Sequence, residues 1–147
     1  FAIQGDARAM QYTVCTATRE ETAQRMRAYA ALEQRVGYAP WTVVLRAETR
    51  VIGWGGLNVD PFDPGWGPEV AYFLHADYWG RGLATELVRA AIAYGFEQVG
   101  LAEIGAFVHR ENLASARVLE KCGFVHQRFV PELDREYYVI SGDSHRL

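Results

Sequence analysis

The order of elements between Glu69 and Ser141 constrains this chain more than any other feature. Glu69–His75 is an apolar and aromatic run that predicts a strand. A turn at Ala76–Gly82 follows, then a helix to about Val99, in which Leu83, Leu87, Ala91 and Tyr94 recur at spacings of three and four. Glu103–His109 predicts the next strand. Asn112 can cap a helix running to Cys122, where Gly123 supplies a left-handed stop. Phe124–Val130 and Arg135–Ser141 then form a hairpin across Pro131–Asp134. Strand, helix, strand, helix, strand is an α/β order, and the strand–helix–strand unit at 69–109 predicts a parallel crossover.

The remaining segments fit around that unit. Thr18 and Glu21 form a capping box, so a helix should run from there to about Val36, stopped by Gly37 and Pro40. Trp41–Ala47 and Val51–Leu57 predict a hairpin turning near Glu48–Arg50. Asp60–Pro68 holds three prolines and two glycines and is expected to be a loop. Hairpins beside a crossover imply a mixed sheet. At 147 residues the chain fits one domain with one core. A net charge of −3 argues against general nucleic-acid binding, and no apolar run approaches the roughly 20 residues of a membrane span. Cys15 and Cys122 form no CxxC pattern and the four histidines show no metal-ligand spacing, so no metal is expected. Free cysteines fit a reducing, cytoplasmic setting.

Two motifs carry chemistry. In Trp79-Gly80-Arg81-Gly82-Leu83-Ala84-Thr85, a strand passes into a helix through two glycines. The N–H groups of such a turn, with the positive end of the helix dipole, suit a pyrophosphate, and Arg81 could add charge; a bare strand-to-helix turn is the alternative. The loop lacks the GK[ST] ending of a P-loop and is not a dinucleotide fingerprint. About thirty residues later comes Asn112-Leu-Ala-Ser115-Ala-Arg-Val-Leu119-Glu-Lys-Cys-Gly123-Phe124, whose Asn112, Ser115 and Leu119 share a helical face.

Together these motifs resemble the GNAT superfamily of acyl-CoA N-acyltransferases, over about Thr42–Tyr138. The run from Glu69 to Glu86, and Asp134-Arg-Glu-Tyr137-Tyr138, look like the RimJ/RimL-type branch of ribosomal-protein N-terminal acetyltransferases. The resemblance implies an α/β (α+β) fold, with a mixed, mostly antiparallel central sheet flanked by helices. It implies acetyl-CoA as cosubstrate, held by Phe73, Leu74, His75, Trp79, Gly80, Arg81, Gly82, Leu83, Ala84, Thr85, Asn112, Ser115 and Leu119. A backbone N–H near Leu74 would meet the oxyanion, and Ser115 would sit near the sulfur. The acceptor would be an amine, either a protein N-terminus or a small molecule, and some relatives are homodimers. Many members carry a tyrosine where this chain has Leu119, which cannot protonate a thiolate. The resemblance also implies a strand before the first helix. Phe1–Met10 matches the end of that helix, so residues 1–147 are expected to form a single, N-terminally incomplete domain without the first strand.

The catalytic candidates are Ser115 and Glu69, the latter as a base acting directly or through water; Glu132 and Glu136 come next. A solvated carboxylate at the strand end is the other reading of Glu69. His75, His109 and Cys122 read first as packing residues, as do Trp41 and Trp54; Phe62 and Trp66 are placed to touch an acceptor. Two rival functions stay open: an antibiotic or polyamine acetyltransferase, and a coenzyme A-binding domain without catalysis.

Overall fold

The computed structural model describes residues Phe1–Arg146. Helix α1 spans Arg19–Val36; the Thr18 hydroxyl accepts the Glu21 N–H at 3.1 Å and the Glu21 carboxylate takes the Ala17 N–H at 2.6 Å. Gly37, at φ 90°, ends it as expected. Strands β1 (Trp41–Leu45) and β2 (Arg50–Val59) form the first hairpin, and β3 is Pro68–Leu74. Helix α2 (Leu83–Ala93) continues as a π-helical turn over Tyr94–Val99 before β4 (Glu103–Val108). Helix α3 covers Leu113–Lys121, β5 and β6 are Val125–Val130 and Arg135–Ser141, and a short α4 follows at Gly142–His145.

The strands form one sheet in the order β1-β2-β3-β4-β6-β5. Every neighbouring pair is antiparallel except β3 and β4, as the crossover through α2 requires. The core lies where α2 meets the sheet: Val88, Ala91, Ile92 and Phe96 pack with Leu57, Val70, Ile104, Ala106 and Ile140. Each large apolar side chain buried there contributes about 1.5–3 kcal/mol.

Ahead of Tyr12 there is no strand among the described residues. Phe1–Tyr12 is a run of turns and not the expected helix end. Gly5 N–H bonds Phe1 C=O at 2.8 Å, and Asp6 caps one further turn, its carboxylate taking the Ala9 N–H at 2.8 Å and its carbonyl the Met10 N–H at 2.9 Å.

The feature that positions the site is a gap in the sheet. Strands β3 and β4 pair at a single position, Glu69 with Gly105. On its other edge β3 pairs with β2 over its whole length. His75 N–H bonds Ile52 C=O at 2.7 Å, so strand alternation turns the backbone groups of Phe73, Ala71 and Glu69 toward β2. The backbone groups of Tyr72 and Leu74 therefore face the gap.

A candidate active site through the split sheet

A cavity of about 830 Å³ lies at this gap and is lined by residues from both faces of the sheet. Val70–Leu74 line one side and Ala106–His109 the other. One end is closed by the glycine loop and the start of α3, the other by α1 and the loop after β2.

At the first end, Gly80 and Gly82 adopt φ of 74° and 77°, and a side-chain carbon added at either would meet no atom within 4 Å. Both glycines thus use a backbone state that other residues resist, and leave open space above it. Among the described residues, no backbone N–H from Gly80 to Thr85 has a partner; the first helical bond is from Glu86 N–H to Gly82 C=O, at 3.1 Å. Six donors at the start of an eleven-residue helix form a cradle for an anion. Trp79 braces the loop, its indole Nε1–H donating to Leu74 C=O at 3.0 Å.

Asn112 caps α3, its Oδ1 accepting the Ser115 N–H at 3.2 Å. This fixes Ser115 at the cavity wall, where its hydroxyl meets the Tyr72 hydroxyl. Burial pushes the Tyr72 phenol up to about 12, so it stays protonated. Leu119 is buried beneath Ser115 and belongs to the core as well as to the cavity wall.

The other end is acidic. Glu69 lies with Asp60, Asp63, Trp66, Arg25 and Tyr29. Burial, with the like charges of Asp60 and Asp63, raises its carboxyl from 4.5 to about 8. Buried Asn58 holds the strand here, its amide donating to the carbonyls of Glu69 at 3.3 Å and Gly56 at 3.4 Å. Trp66 donates to the Asp63 carboxylate at 3.1 Å and packs on Phe107 and Tyr137 with ring centroids 5.0 and 5.1 Å away.

Of the residues singled out in the sequence, Glu69, Phe73, Leu74, Trp79, Gly80, Gly82, Leu83, Ala84, Thr85, Asn112, Ser115 and Leu119 line this cavity. His75 and Arg81 do not. His75 accepts the Asp77 N–H at 3.3 Å through Nδ1 and borders a separate cavity behind β2. Arg81 bends back to the Asp77 carbonyl at 3.4 Å and lies 5.0 Å over the Tyr78 ring. Glu136 pairs with His126 at 2.5 Å, and Glu132 sits in the exposed final turn; both stay outside the cavity. His109 lines the cavity, stacked on Tyr12 at 5.2 Å. Of the two aromatic acceptor candidates, Trp66 is in the cavity wall, while exposed Phe62 carries the Arg25 guanidinium 4.7 Å over its ring. Tyr72 and Tyr29 were not read as site residues from sequence, although Tyr72 stands inside the same strand motif as Glu69. Among the described residues no cluster of metal-ligating side chains occurs, and no helix is long and apolar enough to cross a membrane.

Comparison with known proteins follows the same lines. The chain is 31% identical to the uncharacterized N-acetyltransferase YoaA of Bacillus subtilis over 105 residues, 71% of this chain and 59% of YoaA. It thus spans less than two thirds of that relative's length. In fold it is similar to an acetyltransferase from Agrobacterium tumefaciens, with a TM-score of 0.73 and 24% identity over 84% of this chain and 72% of that one. It also resembles the putative acetyltransferase yncA of Salmonella typhimurium, solved with acetyl-CoA, with a TM-score of 0.68 and 22% identity over 83% of this chain and 74% of that one. The sequence profile of the acetyltransferase (GNAT) domain matches residues 1–125, and with most of its length inside that match the chain belongs to the GNAT acetyltransferase family.

Proposed function

We propose that this chain is an acetyl-CoA-dependent N-acetyltransferase. The observation that carries the reading is the cradle of unpartnered N–H groups at Gly80–Thr85, opening on a cavity that reaches Glu69. The free donors and the vacant space above Gly80 and Gly82 fit the pyrophosphate of coenzyme A. The gap-facing backbone of Tyr72 and Leu74 would pair with the amides of the pantetheine arm as an added strand does. Leu74 N–H is the oxyanion donor in this arrangement, and the Ser115 hydroxyl lies toward the sulfur. Acetyl-CoA itself supplies the activated acyl group and the thiol leaving group.

Glu69 acts as the base. A carboxyl near 8 takes a proton more readily than an ordinary carboxylate, and the base strength needed depends on the acceptor. A protein α-amine, with a pKa near 8, is roughly a fifth neutral near pH 7.4, whereas a lysine near 10.4 is only about a thousandth neutral. The acceptor we favour is therefore a protein N-terminal α-amine, in keeping with the RimJ/RimL-like motifs at Glu69–Glu86 and Asp134–Tyr138. The convergence of Asp60, Asp63 and Glu69 supports a second reading, a small polycationic amine. The free cysteines Cys15 and Cys122 fit action in a reducing cytoplasm.

A thiol-release assay with acetyl-CoA tests this reading against N-terminal peptides, aminoglycosides and polyamines. Turnover is expected with the peptides. Turnover confined to polyamines or aminoglycosides would move the acceptor to the second reading. Acetyl-CoA binding with no thiol release over the whole panel would leave a coenzyme A-binding domain without catalysis.

A further inference from the structure

Helix α3 has lost the tyrosine hydroxyl that many GNAT members present at the Leu119 position, yet a phenol reaches the same region of the cavity from β3. We propose that Tyr72 is a positioning residue that turns the Ser115 hydroxyl into a fixed hydrogen-bond donor for the departing thiolate. The inference rests on the acetyltransferase reading above.

The geometry leaves few choices. Asn112 holds the Ser115 N–H, which fixes the serine backbone at the first turn of α3. The Tyr72 Oη is in contact with Ser115 Oγ and lies 3.3 Å from the Ser115 carbonyl. Two hydroxyls that share one contact have two protons between them. If Ser115 donates to Tyr72, the phenol turns to the carbonyl and no serine proton faces the cavity. If Tyr72 donates to Ser115 Oγ, the serine proton is free to point into the cavity. An anion forming there selects the second arrangement, because the chain from phenol to serine to sulfur then holds two donors in series, each polarising the next. Burial keeps the phenol protonated, so it remains a donor at any ordinary assay pH.

Tyr72 gives a hydrogen bond and not its proton. A phenol near 12 is a much weaker acid than a thiol near 8.5, so transfer to the thiolate would run uphill. In the balanced reaction, the amine nitrogen forms the new bond to the acetyl carbon and the carbon–sulfur bond breaks, leaving its electron pair on sulfur. The amine proton goes to Glu69 and from there to water. The thiolate leaves from the hydrogen bond of Ser115.

The test uses Tyr72→Phe, Ser115→Ala and the double variant, each checked for cooperative melting. The direct readout is the thiol pKa of bound coenzyme A, followed by the ultraviolet thiolate band in the difference between coenzyme A and desulfo-coenzyme A complexes. Both single variants are expected to raise that pKa, and the double variant to raise it no further than Ser115→Ala alone. In turnover, Tyr72→Phe should lower kcat by about tenfold, the loss expected for one hydrogen bond between neutral groups, with KM for acetyl-CoA within about twofold. Effects of the two substitutions that multiply in the double variant would overturn the proposal. So would an unchanged thiol pKa in Tyr72→Phe while the wild-type chain binds coenzyme A and turns over. A wild-type chain that does not bind coenzyme A would instead overturn the acetyltransferase reading, and this inference with it.

Discussion

On one face of β3, Glu69 sits among Asp60, Asp63 and Tyr29, where burial and like charge work against a carboxylate. On the other face, Tyr72 meets Ser115 below a cradle of free N–H groups that favours negative charge. The two environments are three residues apart along one strand, and the pleat that sends alternate side chains to opposite faces separates them. The gap beside β3 joins them again, because one cavity is lined from both faces. On the reading proposed above, opposite demands are thus met within one site. A base has to be reluctant to stay ionised, and phosphates and a thiolate have to be welcomed.

The largest effect is expected at the N–H end, if it is the anion site. Gly82→Val places a branched side chain at φ 77°, over open space. The strain of about 1–2 kcal/mol should leave the chain folded. Acetyl-CoA affinity should fall by at least about a hundredfold, because the cradle is blocked and misplaced. Calorimetric titration checks this, and unchanged affinity would put the cofactor elsewhere.

The acidic end is tested next. Glu69→Gln should cut kcat by about 10²–10⁴, the range for loss of a general base, and leave acetyl-CoA affinity within about twofold. A wild-type kcat/KM across pH would mean that Glu69 is not the base. A smaller effect sharpens the cause of its unusual acidity. Asp60→Asn removes one like charge, so the Glu69 carboxyl should move down from about 8. The rising limb of kcat against pH should shift to lower pH. A limb that stays in place would leave burial and Asp63 as the causes.

The same carboxyl also ties stability to pH. The folded Glu69 carboxyl titrates near 8 and the unfolded one near 4.5, so the folded state holds the extra proton between those values. Stability from this group is full below about 4.5 and is lost as pH rises through about 8. Glutamine has no such dependence. The melting temperature of Glu69→Gln relative to wild type should therefore climb across that window and then level off. A difference that is flat with pH would mean that Glu69 is not desolvated in the folded chain.

Much of the frame was legible because its signals are local. The Thr18–Glu21 box, the left-handed Gly37 and the Asn112 cap each act within one turn of helix, and each appears where the sequence put it. Leu87 and Ala91 are buried as their spacing predicts. The first ten residues are less legible: they form short separate turns, one closed by Gly5 N–H on Phe1 C=O and one by Met10 N–H on Asp6 C=O, and no continuous helix. His75 shows a different limit. Its place at the end of β3 suggested a cofactor contact, but the turn after the strand takes its ring toward Asp77 and away from the cavity.

By itself the sequence determined the order of the elements, the glycine loop that joins β3 to α2 and the helix cap that sets Ser115, because each depends on neighbours a few residues apart. Only the tertiary structure decided what those parts meet. Tyr72 and Ser115 are 43 residues apart, and they touch because α3 packs against α2 and β4, which brings its first turn beside β3. Asp60 and Asp63 perturb Glu69 because the loop after β2 folds back over the start of β3. The cavity exists because β3 and β4 join at one pair and then part. Charge perturbation and hydrogen bonding act over a few ångströms in space, and strand pairing, not chain distance, sets which residues come that close.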